Sequence, residues 1–164
     1  MLRCKHYISK NLYFIGFAAL FGFFLAKSGY AACCTGEIRP KSGAGPHNTY
    51  IWDGKEVKPK SGATGKTTWV FNGKEVKKKS GATSTKTYVW TGTQFKPKSG
   101  ATAANTWTWN RNEFKPQSAA KASNTWIFNS CEWTLKQGAN SENSWVVTNF
   151  VPIPISALII LGLY

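Results

Sequence analysis

Residues 54–72 read GKEVKPKSGATGKTTWVFN, and the Lys-Ser-Gly-Ala inside them recurs at Lys41, Lys60, Lys79 and Lys98, every 19 residues. The register continues through Gln117-Ser118-Ala119-Ala120 and Lys136-Gln137-Gly138-Ala139, so six copies fill 35–53, 54–72, 73–91, 92–110, 111–129 and 130–148. Each copy places an aromatic residue at Tyr50, Trp69, Tyr88, Trp107, Trp126 or Trp145, and Trp52, Phe71, Trp90, Trp109, Phe128 or Val147 two residues later. Ile51, Val70, Val89, Thr108, Ile127 and Val146 stand between them. Aromatic and β-branched residues at a period of two are the composition of strands. Asp53-Gly54, Asn72-Gly73 and Thr91-Gly92 follow as turn signals, so each copy reads as a β-hairpin. A two-residue Asn72-Gly73 turn pairs Trp69 with Val76 and Phe71 with Lys74. Trp69, Phe71 and Val76, with Pro59, Pro97 and Pro116 of other copies, then share one face. Val70, Glu75, Lys77 and Thr68 take the other.

One Met and few Leu exclude an ordinary helical domain, and 15% aromatic with 42% hydrophobic residues excludes a disordered chain. A lone hairpin is marginal in water, so each aromatic face needs a neighbour to cover it. The connection over 61–67 is longer than a tight meander requires. The expected fold is therefore all-β, with six hairpins stacked through loops as an open solenoid. A closed twelve-strand meander barrel or ring is the alternative.

The ends read differently. Arg3, Lys5 and Lys10 precede the apolar run LYFIGFAALFGFFLA over Leu12–Ala26, and small residues follow it, which is the pattern of a signal peptide over 1–32. As a helix that run would be roughly 22 Å long, short of a bilayer core of ~30 Å. The expected location is secreted or cell-surface. Cys33, Cys34 and Cys131 would then reach an oxidising compartment, and a disulfide from Cys131 to Cys33 or Cys34 is expected. A lipobox would need an aliphatic residue where Tyr30 stands before Ala31-Ala32-Cys33. Without CxxC or Cys/His spacing no metal site is expected, and no cofactor either. Residues 149–164 form an apolar C-terminal segment, either an anchor or a cap on the last copy, with Pro152 and Pro154 arguing against helix before Ile155.

The chain carries 21 basic and 7 acidic residues. Removing Arg3, Lys5, Lys10 and Lys27 leaves 17 basic residues in the array against all the acidic ones. Lys58, Lys77, Lys96 and Lys115 share one repeat position, and Lys60, Lys79 and Lys98 lie two residues on, a stripe suited to a polyanion. The aromatic row Tyr50, Trp69, Tyr88, Trp107, Trp126 and Trp145 is core or, in clefts between copies, a sugar platform. Catalysis is not expected. Glu37, Glu56, Glu75, Glu113 and Glu132 recur at one position, whereas a catalytic pair needs two carboxyls in divergent settings. His47 has no nucleophile beside it in sequence.

Tyr50-Ile51-Trp52-Asp53-Gly54 and Tyr88-Val89-Trp90-Thr91-Gly92, with the glycine-containing linkers, resemble the choline-binding and related cell-wall-binding repeats of secreted bacterial proteins. They are also similar to short repeats of some phage tail proteins. The array lacks the Trp-Tyr-Tyr cluster of the choline-binding second strand. Val151-Pro152-Ile153-Pro154 and the apolar residues after it resemble the start of an exosortase sorting tail. These resemblances imply a non-catalytic surface-binding array. The expected partner is a repeating anionic cell-surface polymer or glycan, with membrane contact through the N-terminal and C-terminal segments. The alternative is a self-associating structural element, a surface fibre or tail component. Nucleic acid is not the expected partner of an exported chain.

Overall fold

In the computed structural model, which describes residues 35–164, Asn72 caps its hairpin with its own side chain. Its Oδ1 accepts hydrogen bonds from the backbone N–H groups of Lys74 (3.0 Å) and Glu75 (2.7 Å). Asp53 does the same for Lys55 and Glu56. The two central turn residues are thus Gly73-Lys74, and Gly73 alone takes a left-handed φ, +91°. Phe71 pairs with Val76, Val70 with Lys77 and Trp69 with Lys78. This corrects the expected pairing of Trp69 with Val76 and Phe71 with Lys74. The turn moved by one residue, which changes each partner by two places and leaves every side chain on its expected face. Trp69 and Val76 accordingly point inward, 2% and 0% exposed.

Five such hairpins, with β1 and β12 at the two ends of the array, give twelve strands: β1 (Gly36–Pro40), β2 (Tyr50–Trp52), β3 (Glu56–Pro59), β4 (Trp69–Phe71), β5 (Glu75–Lys78), β6 (Thr87–Trp90), β7 (Gln94–Pro97), β8 (Trp107–Asn110), β9 (Glu113–Pro116), β10 (Trp126–Asn129), β11 (Glu132–Leu135) and β12 (Trp145–Asn149). Each pairs antiparallel with its neighbours in sequence, and β1 pairs with both β2 and β12, so the sheet closes into a barrel. The open solenoid is not the fold; the closed meander barrel is.

The long connections explain the difference, because they are folded loops rather than spacers. The third residue of Lys-Ser-Gly-Ala turns left-handed, as at Gly81 (φ +71°) and Gly100 (φ +69°). Five residues later Asn105 clamps its loop, accepting from Thr102 N–H (2.7 Å) and donating to the Gly100 carbonyl (3.0 Å). Asn48, Asn124 and Asn143 repeat that clamp. The buried hydroxyls of Thr87, Thr125 and Ser144 each donate to the carbonyl four residues back. So fastened, each loop delivers the next strand beside the last. A bond from Lys79 N–H to the Thr68 carbonyl recurs in every copy, and its sixth instance, Lys41 N–H to the Ser144 carbonyl (2.8 Å), crosses the seam.

Helix α1 (Ile153–Ile160) fills the bore. Its residues from Pro154 to Ile160 are all buried, including Ile155, Ala157 and Leu158 at 0% exposure. A helix apolar on every side must be surrounded, and the aromatic inner wall surrounds it. Helix begins at Ile153, earlier than the prolines indicated, because Pro154 stands in the first turn, where no backbone donor is lost. β12 runs toward the tight-turn end, so the chain enters the bore there. Leu161, Leu163 and Tyr164 reach the long-loop mouth, where Leu161 and Leu163 lie beside Ala104 and Asn105 and Tyr164 beside His47 and Lys66. The segment that resembles a sorting tail is therefore the centre of the barrel. Around it, one inward position of each copy forms a ring of Ile38, Val57, Val76, Phe95, Phe114 and Trp133, none more than 2% exposed.

Outside, Glu and Lys from adjoining copies interlock. Lys60 reaches Glu37 (3.4 Å), Lys79 reaches Glu56 (3.0 Å), Lys98 reaches Glu75 (2.8 Å) and Lys136 reaches Glu113 (2.7 Å), each spanning 23 residues. Gln117 and Gln94 stand at the remaining pair of that spacing, an acid and a base exchanged together for neutral amides. The hydrogen bond from Lys98 holds the Glu75 carboxyl below its ordinary range, and the one from Lys136 does the same for Glu113. The signal-peptide reading of 1–32, the lipobox comparison and Cys33 and Cys34 fall outside the described residues. Among the described residues no helix is long and apolar enough to cross a membrane.

Candidate functional site

Two places on the barrel gather side chains that could engage a ligand. The first is the outer wall. Lys58, Lys77, Lys96 and Lys115 lie opposite Ile51, Val70, Val89 and Thr108 on the outward face. Arg39, opposite Val146, occupies the same position in the first copy, and Thr134, opposite Ile127, occupies it in the sixth. Equivalent residues are two strands apart, about 9.5 Å around the wall. The belt thus carries cations at five positions and a gap at Thr134. Arg39 was legible in the 19-residue alignment, where Glu37-Ile38-Arg39-Pro40-Lys41 matches Glu56-Val57-Lys58-Pro59-Lys60, but a search for lysine alone passes over it.

The belt cations differ in how far their charge is already met. Lys58 lies 3.6 Å from Asp53, Lys115 lies 3.5 Å from Glu113, and Arg39 lies 3.6 Å from Glu37. Among the described residues Lys77 and Lys96 make no ion pair. Burial alone would raise the Asp53 pKa. The backbone N–H groups of Glu56 and Lys55, with Lys58 nearby, more than offset it and hold the carboxyl below its ordinary value. Lys60, Lys79 and Lys98 belong instead to the inter-copy ladder, each paired with a glutamate. The structure therefore separates the two rows of lysine that sequence placed in one stripe.

The expected aromatic platform lies inside. Tyr50, Trp69 and Trp126 are buried, Tyr88, Trp107 and Trp145 half-buried, and all belong to the core around α1. A closed wall has no clefts between hairpins. Tyr88 stacks on Phe95 and Trp107 on Phe114, with ring centroids 5.0 and 5.2 Å apart. The ring centroids of Trp69 and Tyr88 lie 6.1 Å apart, and Tyr50, Tyr88 and Trp107 also line the recesses at the long-loop mouth.

The second place is the long-loop mouth. One half-open cavity of about 200 Å³ is lined by His47, Tyr50, Pro59, Lys66, Thr67, Lys78 and Tyr164. Tyr50 and Tyr164 meet edge to face at 4.7 Å between centroids and their side chains are hydrogen-bonded. Burial, reinforced by that bond, pushes the Tyr50 hydroxyl well above the usual tyrosine range. A second cavity of about 280 Å³ lies among Tyr88, Phe95, Pro97, Trp107, Leu161 and Leu163.

Cys131 stands at the tight-turn end and is disulfide-bonded. Its expected partners, Cys33 and Cys34, are outside the described residues. Among the described residues no group of three or more His, Cys, Asp and Glu is placed to hold a metal. No protein family, curated protein or solved structure matches the chain.

Proposed function

We propose that this barrel is a non-catalytic binding scaffold of a secreted or cell-surface protein. Its ligand is a repeating anionic polymer or glycan that follows the outer belt of Arg39, Lys58, Lys77, Lys96 and Lys115. The observation that carries this reading is the belt itself: one register position, repeated around a closed wall, pointing outward and cationic in five of its six copies. Single lysine contacts with carboxylate or phosphate are weak. Several at fixed spacing on a rigid body raise avidity by about 10²–10⁴ when the ligand repeats too. The glutamates that would be needed for acid–base chemistry are engaged with lysines of the next copy, which supports a binding role. A closed barrel also offers no free strand edge, which weighs against assembly into fibres by strand addition.

Titration of the full-length chain with polygalacturonate and with polyphosphate tests the proposal, with dextran as the neutral control. Both polyanions should bind, and binding should weaken steeply between about 50 and 500 mM salt. Changing Lys58, Lys77, Lys96 and Lys115 together to Gln should abolish it with the barrel intact by circular dichroism. Salt-insensitive binding, equal binding of dextran, or full binding by the four-fold variant would reject the belt as the site.

A further inference from the structure

At one inward position of the repeat Lys78 places a charge where the other copies are apolar. Its equivalents are Pro40, Pro59, Pro97, Pro116 and Leu135, all facing the bore, and it pairs with Trp69 just as Pro59 pairs with Tyr50. The ammonium lies 5.4 Å from the centre of the Trp69 ring and opens onto the 200 Å³ cavity. Lys66 and His47 come to the same cavity from successive long loops, where they hold one repeat position 19 residues apart. No carboxylate side chain lines it, and among the described residues neither Lys66 nor Lys78 makes an ion pair.

The second cavity serves as an internal comparison. It lies at the same mouth two copies on, where Tyr88 matches Tyr50, Pro97 matches Pro59 and Ala104 stands in place of Lys66, while the position of Lys78 is held by Pro116. The fold therefore makes a recess there twice and charges only one.

We propose that the charged recess is a binding site for a single anionic group, a carboxylate or phosphate carried on one ring. Lys78 and Lys66 supply the charge partners, His47 and Thr67 add polar contacts, and Tyr164 and Pro59 form the flat apolar wall against the ring. A charge-assisted contact made from a half-buried lysine is stronger than one made from the open wall. This site stands apart from the outer belt and does not require a polymer.

The test is a heteronuclear NMR titration of the full-length chain with glucuronate and with phenyl phosphate, against glucose and phenol as neutral controls. Saturable shifts are expected at His47, Lys66 and Lys78 with the acids. Lys78→Pro installs the residue that four other copies carry, so it keeps the barrel and weakens binding about tenfold, the loss of one charge-assisted contact. Lys78→Met gives the same result without altering the backbone, and covers a failure of the proline variant to fold. The four-fold belt variant should bind both acids as the wild type does. Absence of saturable shifts at these residues, equal binding of the neutral controls, or unchanged binding by both Lys78 variants would overturn the proposal.

Discussion

Lys41 Nζ lies 2.8 Å from Glu132 Oε1, joining the first copy to the sixth across 91 residues of chain. The pair is the ladder contact of Lys79 with Glu56 carried around the ring, so the seam is held as the other boundaries are. Glu132→Lys should open that contact and lower the thermal midpoint, and adding Lys41→Glu should restore it. The remaining boundary offers the reverse experiment. Gln94→Glu with Gln117→Lys should stabilise by about 0.5 kcal/mol, the ordinary worth of an exposed pair, or one to two degrees in Tm. Either change alone should gain nothing.

The same ladder sets an acid limit. The folded carboxyls of Glu75, Glu113 and Asp53 titrate below their ordinary values, so the unfolded chain binds protons first as pH falls. Their contribution is fully present above the unfolded glutamate value of 4.5 and disappears as pH drops through the lower folded values. Urea midpoints measured from pH 7 to pH 2 should fall most steeply below about pH 4.5, and 1 M salt should flatten the curve. A midpoint that is level across that range contradicts the assignment.

The bore needs its helix. Leu158→Ala leaves a hole at a position with no exposure and should cost about 2–5 kcal/mol in urea unfolding. Substitutions of equal size at the exposed Phe150 should cost far less.

Left-handed positions can be improved or spoiled. Arg111, Ala119 and Ser130 hold φ of 56°, 53° and 59° where other copies use glycine. Replacing any of them with Gly should stabilise by up to about 1 kcal/mol, and Gly81→Ala should destabilise by about as much. Gly36→Ala should be worse than either, because a methyl group there would run into the Phe150 carbonyl at the seam.

Mass spectrometry under non-reducing conditions should recover Cys131 linked within one chain to a peptide holding Cys33 and Cys34. Reduction should then lower stability by about 2–5 kcal/mol. A link between two chains would point to assembly instead.

The repeat, the two faces of each hairpin and the inward row of aromatics were legible because period-two patterning survives any even shift of register. Closure was not, since it depends on where loops end. That was decided by the Asn105 side chain clamping Thr102 and Gly100 and by Thr87 bonding back to Thr83, contacts for which the sequence offers only scattered Asn and Thr. The fate of 153–160 was equally hidden, because an apolar stretch reads the same whether lipid or aromatic rings surround it. Lys78 was visible as a lysine among prolines, but its inward direction gained meaning only when the bore and its mouth were in place.

A wall of six similar copies gives a central helix six similar orientations in which to settle. The inward ring resolves that choice, because Ile38, Val57 and Val76 occupy one arc while Phe95, Phe114 and Trp133 crowd the other. At the level of this ring α1 is faced by smaller side chains on one arc and larger ones on the other, an arrangement that a one-sixth rotation does not reproduce. Drift away from the perfect repeat is in this sense the information that fixes the azimuth of the helix. A barrel rebuilt from identical consensus copies would retain its wall and lose the unique seat of the rod within it.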